Sequence, residues 1–243
     1  VSAAVVGLVV ALPEESRSLT NRRVRIGECF AVGKARRMCI AGIGAENARR
    51  AAYRLIEEGA RGLVSWGCAA SVSPDLGPGA LCLPEEVLDA RGERQPAWPA
   101  WHKRAQDALA QFSSPSTGLL LSVEHMLATV ADKKAVAARF HAVAIDMESA
   151  AVAAVACERN VPFLAVRAIA DPLDMVLPAA VLHATDANGT VHVSRLIRHT
   201  LLNPREVPGL LRLAAHFRSA LRTLTSAAHR MGDDLLLGCA SLV

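Results

Sequence analysis

The sequence predicts an α/β fold in three layers, α/β/α, around a central mixed β-sheet, and three stretches carry that expectation. Val143 to Ile145 and Phe163 to Ala170 are apolar strand-like runs, each ending in acids, and the Ala/Val-rich Ser149 to Asn160 between them reads as a helix closed by Asn160 and Pro162. A hairpin expected over Val24 to Phe30 and Arg37 to Ala41, turning at Val32-Gly33-Lys34, adds an antiparallel edge to that parallel core. An open α/β sheet binds ligands beyond the carboxyl ends of its strands. Glu148 and Asp171 are therefore expected together, at corresponding ends of neighbouring strands, with Arg167 nearby.

The other elements follow in chain order. Val5 to Ala11 is a buried first strand, too short to span a bilayer and without a basic leader. It delivers Glu14, Glu15 and Arg17 to the start of a short helix, where acids are favourable on dipole grounds alone. Gly42-Ile43-Gly44 opens a helix reaching about Glu58; the third Gly of a dinucleotide motif is missing, so a tight turn is the expected role. Gly62 to Trp66 is a strand ending in the small residues Gly67-Cys68-Ala69-Ala70-Ser71, which let backbone approach a ligand closely. This is not a G-x-S-x-G elbow, so neither Cys68 nor Ser71 is read as a nucleophile.

Ala80 to Leu83 and Gly118 to Ser122 read as further strands, with a polar loop over Asp89 to Pro99 and a short helix ending near Phe112 between them. Pro172 to Gly189 reads as an irregular flap. Val207 to about Ala228 is an amphipathic helix, Leu210, Leu213, Phe217, Leu221 and Leu224 recurring at three- and four-residue steps, with Arg212, Arg218 and Arg222 beside them. Packing of its Leu face on the sheet is the ordinary outcome; contact with an anionic membrane is the alternative.

At 243 residues the chain is read as a single domain, residues 1–243, with the basic amphipathic helix over 204–232. Aromatic residues are 4% of the sequence, too few to stack successive bases, which argues against single-stranded nucleic acid binding. The charge of +4 and pI near 8.9 admit an anionic ligand without demanding one. The six cysteines show no C-x-x-C spacing and read as reduced, buried thiols of a cytosolic protein. None of the eight histidines has a metal-like partner, so no metal is expected.

Ala11-Leu12-Pro13-Glu14-Glu15, Gly42-Ile43-Gly44, Gly67-Cys68-Ala69, Asp146-Met147-Glu148-Ser149-Ala150 and Val166-Arg167-Ala168-Ile169-Ala170-Asp171 resemble, in this order, the nucleoside phosphorylase and nucleosidase superfamily over most of residues 4 to 200. They are similar to motifs of methylthioadenosine/adenosylhomocysteine nucleosidases. Trp66-Gly67-Cys68-Ala69-Ala70, Leu83-Pro84-Glu85-Glu86-Val87 and Val207-Pro208-Gly209-Leu210-Leu211 resemble more closely the hopanoid-associated phosphorylase group, thought to remove adenine from adenosylhopane in bacterial hopanoid synthesis.

The resemblance implies a nucleoside phosphorylase-like fold, a homodimer and an adenine-releasing N-glycosidase without cofactor. It makes Asp171 the acid at purine N7, Glu148 the ribose ligand, Met147 a support under the sugar and Glu15 the base for water. Cys68, Ala69, Met126, Leu127 and Arg167 complete the implied substrate site, with Met126 where an aromatic residue usually lines the base. The chemistry asks for such groups, since an oxocarbenium-like transition state is stabilised by carboxylates near the ribose and an acid near the leaving base. Asp171 is then expected to hold a proton near neutral pH, and Glu148 to stay ionised beside Arg167.

Hexameric phosphorylases of the superfamily carry a phosphate-binding Arg where Ser65 stands, which leaves Arg17 as the candidate phosphate ligand. Hydrolysis is the expectation; phosphorolysis, a methylthioadenosine/adenosylhomocysteine nucleosidase and a non-catalytic nucleoside-binding protein are the alternatives. Ala170 replaces the Ser that usually precedes the acid, so hydrogen bonding around it must differ.

Overall fold

A computed structural model describes residues 5–184, 199 and 202–237. In chain order the strands are β1 (Val6–Val10), β2 (Cys29–Val32), β3 (Arg36–Ile40), β4 (Gly62–Ser71), β5 (Leu81–Cys82), β6 (Glu86–Leu88), β7 (Arg94–Pro96), β8 (Leu120–Ser122), β9 (Ala144–Asp146) and β10 (Phe163–Asp171). The helices are α1 (Ala45–Glu57), α2 (Pro99–Ala110), α3 (Val130–Phe140), α4 (Ser149–Glu158), α5 (Ala179–Ala184) and α6 (Val207–Met231).

Among the described residues the strands form one mixed sheet in the order β2-β3-β1-β4-β9-β8-β6-β7, with β10 paired to β4 and β5 to β10. Side chains alternate across a strand, and β1 shows the consequence. Leu8 and Val10 face a core with Trp66, Trp101, Leu224 and Met231, under α2 and α6. Val9 faces a second core with Leu55, Val152 and Ile169, under α1 and α4. The expected three layers are present. The facing surfaces of α1 and α4 are mostly alanine, including Ala48, Ala52, Ala153 and Ala156, so little side-chain volume separates the two helices.

Several boundaries differ from expectation, each for a physical reason. β4 runs on from Trp66 to Ser71 because its backbone keeps finding partners: Ile169 opposes Ala69, and Ile145 and Ala144 of β9 oppose Ala70 and Ser71. Both β9 and β10 thus pair with β4, one antiparallel and one parallel, and the two are not neighbours as expected. The polar loop after Asp89 contains β7, paired to β6, and α3 is an additional helix. The flap carries α5; its residues 185–189 lie outside the described part.

The reading of the cysteines as reduced, buried thiols is corrected. Cys29 and Cys39 stand opposite each other in the β2–β3 register and form a disulfide, which a ten-residue separation in sequence does not reveal. Cys68 and Cys82 are free and at least partly buried, Cys157 is exposed, and Cys239 lies outside the described residues. Among the described residues no helix is long and apolar enough to cross a membrane.

Candidate active site

A cavity of about 240 Å³ lies where β1, β4 and β10 end, and its wall includes Glu15, Cys68, Ala69, Met126, Leu127, Met147, Glu148 and Asp171. Eight residues singled out from sequence thus meet on one surface. Two do not line it. Arg167 is buried beneath the wall at 1% exposure, and Arg17 lines a separate pocket with Arg36 and His229. Arg17, the candidate phosphate ligand, thus does not share the cavity with Glu15: their turn directs Glu15 inward and Arg17 to the other pocket.

Glu15 begins a 3-10 turn after β1 and is buried. Its Oε2 accepts the Leu12 N–H at 3.0 Å and its Oε1 the Cys68 N–H at 2.7 Å. Burial pushes the Glu15 carboxyl above the usual carboxylate range, while Arg167 and those N–H groups pull against it. Gly67 permits the approach: a Cβ there would stand 2.6 Å from Arg167 Nη1 and 2.7 Å from Glu15 Oε1. The Cys68 thiol is pushed well above its ordinary value by burial and then by Glu15, so it is no thiolate nucleophile.

Arg167 organises the floor. Its Nη2 lies 2.6 Å from Asp146 Oδ2 and donates to Ser65 Oγ at 2.7 Å and Ser149 Oγ at 3.1 Å; Glu148 Oε2 stands farther off, at 3.7 Å. Asp146 also accepts the Ser149 N–H at 3.1 Å, at the start of α4, and the Ser122 hydroxyl at 2.6 Å. Ser65 is thereby engaged as an acceptor of Arg167.

Glu148 Oε1 accepts the Gly44 N–H at 2.9 Å, and Oε2 the Met147 N–H at 3.3 Å. Gly44 makes this reach at φ +103°, a backbone state closed to most side chains, so the second Gly of the G-x-G turn holds a carboxylate. Glu148 was expected to stay ionised beside Arg167, and its surroundings act in both directions. Burial, then the nearby Asp146 charge, pushes its carboxyl up to about 7, while Arg167 and the Gly44 N–H pull against them.

Asp171 ends β10 just after a register shift between Ile169 and Asp171 against β4, a bulge that re-aims the acid. Burial raises its pKa. The main opposing influence is Lys133 of α3, whose ammonium lies 2.7 Å from Asp171 Oδ1. Sequence reasoning missed Lys133. Thr129 and Asp132 mark an N-cap, Thr129 accepting the Asp132 N–H at 3.1 Å, and so could have located the helix. No local signal separates buried Lys133 from exposed Lys134. Asp146 was legible only as part of a motif, and Leu177, Leu213 and Phe217, also on the cavity wall, come from the flap and α6.

The arrangement offers four carboxylates of unequal surroundings, Glu15, Asp146, Glu148 and Asp171, on a largely apolar wall, a setting in which protons are held and moved at defined oxygens. The fold is shared, at low identity, with solved structures that include the following. Futalosine hydrolase of Helicobacter pylori is 16% identical, with 96% of this chain and 99% of that chain covered and a TM-score of 0.72. The 5'-methylthioadenosine/S-adenosylhomocysteine nucleosidase of Helicobacter pylori is 16% identical, covering 93% and 97%, TM-score 0.66. Its counterpart from Neisseria meningitidis, in complex with methylthio-immucillin-A, is 19% identical, covering 92% and 98%, TM-score 0.64. No curated protein matches the sequence significantly. The family model described as the Phosphorylase superfamily matches residues 5–202, which embrace the described sheet and all four carboxylates of the cavity wall, and the chain belongs to that superfamily.

Proposed function

We propose that the protein is an N-glycosidase that releases adenine from a 5'-substituted adenosine. The observation that carries this reading is the convergence of Glu15, Glu148 and Asp171 on one cavity. Asp171 gives its proton to N7 of the purine as the C1'–N9 bond breaks; Glu148 accepts hydrogen bonds from the ribose hydroxyls; Glu15 takes the proton of the water that attacks C1'. Raised pKa values of Asp171 and Glu15 suit an acid and a base that work near neutral pH. Met147 packs under the sugar, and Met126 and Leu127 face the base.

Water is the proposed acceptor, without cofactor. Among the described residues that line the cavity none is Lys or Arg, and Arg167 beneath it is occupied by Asp146, Ser65 and Ser149. That supports hydrolysis over phosphorolysis.

The 5' substituent is proposed to be apolar and lipid-linked, as in adenosylhopane. Leu177, Leu213 and Phe217 on the cavity wall support this, and so do exposed Leu211, Arg212, Arg218 and Arg222 on α6, as a face for an anionic membrane surface. The second reading, 5'-methylthioadenosine/S-adenosylhomocysteine nucleosidase, is favoured by the solved structures that share the fold. A single domain acting as a homodimer on the cytoplasmic side completes the proposal. Adenine release from methylthioadenosine, adenosylhomocysteine and adenosylhopane in detergent, with and without phosphate, tests it. Release that ignores phosphate and favours the lipid supports it; ribose 1-phosphate as product overturns hydrolysis, and no release from any of the three overturns the activity.

A further inference from the structure

Lys133 is the buried residue of α3, at 0% exposure, and a buried ammonium is costly unless every N–H is engaged. All three are. Nζ donates to Asp171 Oδ1 at 2.7 Å, to the Pro172 carbonyl at 2.9 Å and to the Met175 carbonyl at 3.0 Å. The acid and the loop after it are thus tied to α3, and the Leu177 N–H donates to the Ala128 carbonyl at 3.0 Å, binding that loop to the segment that carries Met126 and Leu127. Among the described residues no hydrogen bond engages Asp171 Oδ2.

We propose that Lys133 is a positioning residue for the acid: by holding Asp171 Oδ1 it leaves Oδ2 to carry the transferable proton, and it stabilises the carboxylate that remains once that proton has gone. The inference rests on the N-glycosidase reading for the identity of the proton acceptor, and on the hydrogen bonds alone for the rest. The proton on Oδ2 passes to purine N7, and the C1'–N9 electron pair goes to the purine. Water oxygen bonds C1', and its proton goes to Glu15. Adenine leaves neutral, and a proton passing through solvent from Glu15 to Asp171 restores both groups. Negative charge grows on Asp171 only as the bond breaks, so an ammonium fixed beside it favours the transition state over the bound substrate.

Among the described residues, Lys133 from α3, His216 from α6 and Asp174 from the following loop are the charged or titratable groups that act on Asp171. Lys133 is the one bonded to it.

The test is the ¹³C-carboxyl NMR titration of Asp171, assigned with Asp171→Asn, in wild type, Lys133→Met and Lys133→Arg. Without the cation the midpoint rises by about 1–3 pH units; the arginine variant stays near wild type. An unmoved midpoint in Lys133→Met, or equal movement in both variants, overturns the proposal, and neither result depends on turnover. Should Lys133→Met not fold, the wild-type Lys133 ¹⁵N resonance serves: it must shift with the Asp171 midpoint and lose that step in Asp171→Asn, and a flat resonance overturns the pairing. In kinetics, Lys133→Met lowers kcat on methylthioadenosine by at least about 10-fold, part of the range of general acid catalysis. It moves the basic limb of the pH profile upward and spares a nitrophenyl riboside, whose leaving group needs no acid. Equal losses on both substrates, with an unshifted profile, are the signature of a merely structural lysine.

Discussion

Arg167 Nη2 lies 2.6 Å from Asp146 Oδ2, with both side chains 1% exposed, while Glu148 Oε2 is 3.7 Å away. The guanidinium beneath the cavity therefore belongs chiefly to Asp146. A carboxylate that also starts α4 holds the cation that in turn faces Glu15 and Glu148.

Replacing Arg167 with Met leaves Asp146 and two serines buried without their donor. Loss of one partner of a buried pair costs about 3–5 kcal/mol. Urea unfolding is expected to show that loss, and a midpoint within experimental error of wild type would show the network to be dispensable.

Gly67→Ala puts a methyl group 2.6 Å from Arg167 Nη1 and 2.7 Å from Glu15 Oε1. Neither group can retreat, since the first is bonded to Asp146 and the second to two backbone N–H groups. Overpacking of this kind costs about 1–3 kcal/mol, measurable by thermal unfolding, and adenine release should fall with it because Glu15 is displaced.

Asp171→Asn removes the proton donor, and kcat should fall by about 10²–10⁴-fold, the usual contribution of general acid catalysis. The pH dependence has a definite sign. Burial raises the Asp171 pKa, and the acid works only when protonated, so kcat/KM of the wild type declines as pH rises through that raised value. A profile that rises over the same range would assign the proton transfer elsewhere.

The Glu148 carboxyl, pushed up to about 7, has a consequence for stability. Between the ordinary carboxylate value, near 4.5, and about 7 the folded protein holds a proton on Glu148 that the unfolded chain has released. Unfolding then releases protons, so stability falls as pH rises through that window. Thermal midpoints of wild type and Glu148→Gln should run together at the acid end, where the folded carboxyl is neutral, and separate as pH rises toward about 7, with the flatter dependence in the variant; curves parallel over the whole range would mean that Glu148 does not change its protonation on unfolding.

Much of this was legible in the chain, because it depends on local pattern. Alternating or continuous apolar runs marked β1, β4, β9 and β10, and the Ala/Val run after Glu148 marked α4, because burial of one face or both imposes a period. Acids at the ends of those runs marked Glu15, Glu148 and Asp171, which do share one cavity. Sequence by itself thus determined the fold class and the acid set.

Tertiary structure alone decided what each acid experiences. Val130–Phe140 has a weak apolar pattern because what it buries is the ammonium of Lys133, whose three acceptors come from a loop some 40 residues on. The Cys29–Cys39 bond depends on strand register, and the assignment of Arg167 to Asp146 depends on β9 running antiparallel to β4 while β10 runs parallel. Arg17 and Glu15, two residues apart, enter different pockets because a single 3-10 turn sends them in different directions. Pairings and pKa values are set by distances of a few ångströms between groups far apart in the chain, and a linear sequence carries no such distances until the sheet and its covering helices bring those groups together.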